Sequence, residues 1–84
     1  MIKTHGLVVA VNPGRRIGVV RVGDARHAVI GHGDDHELRV GDLLRGDFGT
    51  EGSTMVQNVN TGEVFDAHNH FVDSSFDDAS TFAS

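Results

Sequence analysis

The chain has no cysteine, tryptophan or tyrosine, and one proline in 84 residues. Without cysteine there is no disulfide and no thiolate to bind a metal or act as a nucleophile, so the fold must rest on its core alone. The cytoplasm is the expected location. No apolar run approaches the roughly 20 residues that cross a bilayer as a helix, and no basic amphipathic segment offers a surface anchor. No membrane partner is expected. Residues Met1 to Gly6 lack the apolar stretch and small-residue cleavage site of a leader, and none is expected. There is also no nucleophile elbow and no glycine loop ending in Lys-Ser/Thr to cradle a phosphate, so the expectation is a non-enzyme that uses no cofactor.

Helical periodicity is equally scarce. No window places apolar residues at i, i+3, i+4 and i+7, while eleven glycines punctuate the chain about as often as turns would. An all-β domain is therefore expected. Leu7 to Val11 is β-branched and bounded by Gly6 and Asn12-Pro13-Gly14, where proline presets φ and glycine is expected to supply a positive one. Ile17 to Val22 and Arg26 to Ile30 flank Gly23-Asp24 as a hairpin would. Residues 31–41 read as a long polar loop anchored by Leu38 and Val40. Asp42 to Phe48 and Thr54 to Val59 supply strands four and five, and Val64 to Ala67 an extra C-terminal edge strand.

Charge is unevenly spread. The net charge is −5, with Asp73, Asp77 and Asp78 in a Ser/Asp/Phe segment, residues 73–84, that carries no base. Residues 1–72, the expected barrel domain, hold seven bases against nine acids, a net of −2. Within it Arg15, Arg16, Arg21 and Arg26 oppose only Asp24. The acidic segment, with Phe76 and Phe82, is expected to be a solubilising terminus, mobile or docked; folded back on the arginines it would compete with a polyanion.

From Gly6 to about Val59 the order of elements resembles the bacterial cold-shock domain. The run Asn12-Pro13-Gly14-Arg15-Arg16-Ile17-Gly18-Val19-Val20 is spaced like that family's first ribonucleoprotein motif, matching its asparagine, its base at Arg15, its Gly18 and its aliphatic Val20. Leu38-Arg39-Val40-Gly41-Asp42 resembles the lead-in to the family's strand four, and Asn58-Val59 the close of its strand five. The resemblance implies a small five-stranded antiparallel OB barrel that binds single-stranded RNA or DNA on strands two and three. It also departs where the family is aromatic: Ile17 and Val19 stand at stacking positions, Arg16 replaces a glycine, and Ala28-Val29-Ile30-Gly31-His32 leaves His32 as the lone ring of the second motif. Each lost stack forfeits roughly 1–3 kcal/mol per base. Weak, salt-sensitive binding through Arg15, Arg16, Ile17, Val19, Arg21, Arg26, Val29 and His32 is the resulting expectation. The alternative is a protein-docking or homodimer contact on the same aliphatic patch.

Six histidines remain. His68 and His70 share one face of an extended strand, and His32 and His36 bracket Asp34 and Asp35, so each pair offers ligand-like spacing. A closed zinc site needs four ligands, and no standard spacing supplies them. No metal is expected, with His68 and His70 the nearest candidates.

Overall fold

A computed structural model describes residues 4–23, 26–33 and 37–83. Six strands follow in order: β1 (Thr4–Asn12), β2 (Ile17–Val22), β3 (Arg26–His32), β4 (Leu43–Gly46), β5 (Gly52–Asn58) and β6 (Val64–Ser74), then a helix, α1 (Phe76–Ala83). All neighbours are antiparallel, and the sheet closes on itself as β1-β2-β3-β6-β5-β4. Two three-strand meanders, β1-β2-β3 and β4-β5-β6, are thus joined first to first and third to third. Exchanging them leaves the cyclic order unchanged.

The expected five strands are corrected to six. Val64 to Ala67 begins an eleven-residue strand that lies between β3 and β5, not an optional edge. Without β6 both neighbours would present unpaired backbone groups, so this strand is what makes the cylinder edgeless. It runs on to Ser74, through the point where the acidic segment was expected to start, and most of the remainder is helical.

Alternation explains the interior. Val8, Val20, Ala28, Ile30, Leu44 and Val56 point inward and are fully buried, while Leu38, ahead of β4, Phe48, just after it, and Phe65 and Ala67 of β6 complete the cluster. Gly18 faces Leu38: a Cβ there would stand 2.8 Å from its Cδ1. Of the buried polar residues His27, Asn58 and Asn69, Asn69 is the most enclosed. Its Nδ2 donates to the Asp47 and Thr50 carbonyls, 2.7 and 2.8 Å away, tying the β4–β5 loop to β6, while its buried Oδ1 has no partner.

The β1–β2 turn also differs from expectation. Gly14 does not take a positive φ; Arg16 does, at 54°. Hydrogen bonds from Arg15 N to the Asn12 carbonyl and from Arg16 N to the Pro13 carbonyl wind the turn tightly. Arg16 then reverses the chain, and His32 N donates to its carbonyl at 3.0 Å, which holds it there.

Gly6 → Ala tests the interior. The added Cβ would collide with Val20 Cγ1 and stand 3.3 Å from the Phe48 ring, and the branched, fully buried Val20 has no room to retreat. A loss of about 1–3 kcal/mol is expected, read as a lowered urea midpoint at unchanged slope.

Candidate nucleic-acid interface

On the outer surface, β2 and β3 present Ile17, Val19 and Val29, the aliphatic patch expected to be open. It is covered. These three side chains form a second core with Ala79 and Ala83 of α1, with Val9, Ala10, Phe71 and Phe82 packed around it. Val19 and Val29 are wholly inaccessible and Ile17 is 6% exposed, which corrects their assignment as accessible contact residues in this state.

The covering helix is built for its place. Ser75 Oγ accepts from Asp78 N as an N-cap, and Asp77 and Asp78 set negative charge on the first turn, where the helix dipole favours it. At the other end the last carbonyls are taken up by the barrel: Asn12 Nδ2 donates to Ala83 O and Arg15 Nη1 to Phe82 O, both at 2.6 Å. The Arg15 guanidinium also lies 5.6 Å from the Phe82 ring centroid. Two sequence-selected groups, the turn asparagine and its arginine, are therefore engaged with the C-terminal helix.

A bulge shapes the seam between β3 and β6. Ile30 pairs with Asn69 and Val29 with Phe71, so His70 is an extra residue on β6. Strict alternation from the inward Asn69 would turn Phe71 inward; the bulge turns it out, beneath α1. His70 is re-aimed along the outer surface, where a Cβ on Gly31 would meet its Nε2 at 2.8 Å. Its ring lies 4.8 Å from that of His68 and 5.6 Å from that of Phe82, centroid to centroid. Only a glycine at 31 leaves this space.

The result is a cluster that linear order hides. His68 pairs with Gly31, and His68 and His70 lie near Arg15 on the outer surface at one end of the β3–β6 seam; His32 follows on β3, turned by alternation to the other face, and Arg16 is tied to it through the backbone. Beside it opens a cleft of ≈ 300 Å³ lined by Val11, Pro13, Arg16, Ile17, His32 and Leu38, with Glu37 on its rim. Arg21 and Arg26 do not join it. They are exposed where β2 meets β3 at the opposite end of the hairpin, Arg21 lying about 13 Å along β2 from Ile17 at roughly 3.3 Å per residue. The four arginines thus form two separated groups.

The spacing of His68 and His70 does place both rings on one surface. Among the described residues, however, no group of three or more His, Asp or Glu side chains could hold a metal ion, and His36, Asp34 and Asp35 lie outside those residues. Sequence reasoning does not show that His68 lies opposite Gly31, one residue from His32 on β3. The i, i+2 spacing was a signal, but which strand lies alongside was not.

Burial pushes the His70 pKa below 6.5, and the neighbouring His68 and Arg15 push it the same way. A folded pKa below the unfolded one means that the unfolded chain binds the proton more readily. The stability contributed by neutral His70 is therefore complete above pH 6.5 and is lost as pH falls through the folded midpoint. In an NMR titration of the ring resonances His70 should titrate below 6.5, and Arg15 → Ala should raise its midpoint; a wild-type midpoint at or above 6.5 contradicts this account. Compared with known proteins, the chain matches no family model, no curated protein and no solved structure.

Proposed function

We propose that this barrel binds single-stranded nucleic acid, weakly and with strong salt dependence, at the end of the β3–β6 seam. The carrying observation is that Arg15, His68 and His70 on the outer surface adjoin an open cleft lined by Arg16 and His32 at the same end of β3. Guanidinium groups hold phosphates and stack on flat rings, and imidazoles supply π-faces where the cold-shock resemblance lacks its aromatics. Bases would lie against the histidines and phosphates against the arginines. With a net charge of −5 the chain repels a polyanion at long range, which keeps the affinity low.

A second reading has its own observation. Met55 on β5, a strand α1 does not contact, is 53% exposed, and Val64 at the start of the neighbouring β6 is 54% exposed. Protein docking or self-association there would appear as concentration-dependent mass in light scattering.

The test is fluorescence anisotropy with short labelled oligo-dT and oligo-U. Saturable binding is expected at about 50 mM salt and marked weakening at about 150 mM, with a log–log slope near −1.4 if two phosphates are neutralised. Arg16 → Gly separates binding from folding: it removes the cation and relieves an L-residue held in the left-handed region, so stability should hold while binding falls. An unchanged anisotropy at high protein concentration and low salt, or full binding by Arg16 → Gly, overturns the reading.

A further inference from the structure

Helix α1 is a short element, and at its C-terminal end His70 packs against Phe82, while Asn12 holds the Ala83 carbonyl. Eight residues are too few to stay helical alone in water, so α1 exists only while the barrel holds it. Its last turn is fastened by Phe82, whose ring packs 4.5 Å from that of Phe71 and 5.6 Å from that of His70, and whose carbonyl accepts from Arg15. His70 therefore packs on the helix and lies within electrostatic reach of Arg15, the group that caps it.

We propose that α1 is an acid-released cover: protonation of His70 undocks the helix, exposing Ile17, Val19, Val29 and Phe71 and freeing Arg15 for a polyanionic ligand. The release itself stands on the contacts around His70, and only the ligand step rests on the nucleic-acid reading above.

The charges facing His70 set the direction. From β6 comes His68, its ring 4.8 Å from that of His70, centroid to centroid; from the β1–β2 turn comes the permanent cation of Arg15; β3 contributes the backbone of Gly31. From α1 comes the uncharged Phe82, and Asp78 shares the cleft of Phe71, Thr81 and Phe82. Asp66, outside on the same strand, stands four residues from His70, about 13 Å along an extended chain. Neither Asp66 nor Asp78 makes a hydrogen bond or ion pair with His70 in the described residues, so a proton arriving there meets like charge and partial burial without compensation. The released state, in which His70 is solvated and Arg15 can swing away, takes the proton more readily. Acid thus shifts the population toward release, about tenfold for each unit separating the two titration midpoints. A phosphate that claims Arg15 acts in the same direction, and by linkage release of α1 must strengthen phosphate binding by the same factor.

Methyl and amide NMR on the full chain tests this between pH 7.5 and 5.0. The expected result is that the Ala79 and Ala83 methyls move toward random-coil positions and those of Val19 and Val29 shift, while the interior Leu44 and Val56 methyls hold. His70 → Phe should keep α1 docked across the range, and His70 → Gln, which also cannot gain a proton, guards against a packing defect in the phenylalanine variant. Loss of α1 signals in both variants as in the wild type, unchanged α1 signals while His70 titrates, or simultaneous melting of Leu44 and Val56 each overturns the proposal. Oligo-dT added at each pH separates the two readings: helix release without oligonucleotide binding leaves the cover standing and removes the ligand, whereas binding with α1 still docked removes the cover alone.

Discussion

A sheet with apolar side chains on both surfaces must be covered on both, and this constraint organises the first half of the molecule. In β2 and β3 the buried positions run without a break, Ile17 to Val20 and His27 to Ile30. Barrel closure buries one set, Val20, Ala28 and Ile30; nothing in a six-stranded cylinder can bury the other. Each fully buried Val or Ile side chain is worth about 1.5–3 kcal/mol over its exposed state, so an uncovered Ile17, Val19 and Val29 would be a large deficit for so small a domain. Helix α1 removes it. The helix in turn has no independent stability, and a barrel that has released it is the costlier state because its second apolar face is wet.

That dependence was partly legible in the chain. Strands buried on both surfaces read as continuous apolar runs, and Val19-Val20 and Ala28-Val29-Ile30 are such runs. The sequence reading treated them as half-exposed because no covering element could be seen. Phe76, Ala79 and Ala83 do lie at i, i+3 and i+7, but Ser80 interrupts the stripe and eight residues are shorter than the windows in which periodicity speaks. The Ser75-x-x-Asp78 cap was the stronger clue. Five strands and the first residues of the sixth are legible, β2 with its bounds intact, since local turn chemistry and β-branched runs report them directly. Whether Val64 to Ala67 lay at an edge or closed the cylinder depends on pairing with β3, more than thirty residues away, and no local signal carries that.

The candidate site was legible in a similarly divided way. Arg15, Arg16 and His32 were selected from the resemblance and do stand together. Arg21 and Arg26 were selected because four arginines are close in sequence, yet a hairpin sends its ends apart, and the two pairs finish at opposite ends of β2 and β3. For His68 and His70 only their mutual spacing is local information, which makes them the nearest candidates for a metal that is not expected. Their more consequential relation, to Gly31 and through it to Arg16 and Phe82, is created by a bulge that no residue in β6 announces.

The bulge is also where the two meanders and the helix meet, and this gives the chemistry a location. The pairing scheme is symmetric under exchange of β1-β2-β3 with β4-β5-β6, so the strand order alone would give both seams equal standing. Helix α1 breaks that equivalence by packing on β1, β2, β3 and β6 and leaving the outer surface of β4 and β5 bare. At the β3–β6 seam the extra residue then does two things together: it turns Phe71 under the helix and sets His70 against Phe82. A strand without the bulge could do one or the other, because alternation would put neighbouring side chains on opposite surfaces. The irregularity thus couples an apolar contact that needs the helix to an ionisable ring that senses its surroundings. A cover built on that pair carries its own trigger.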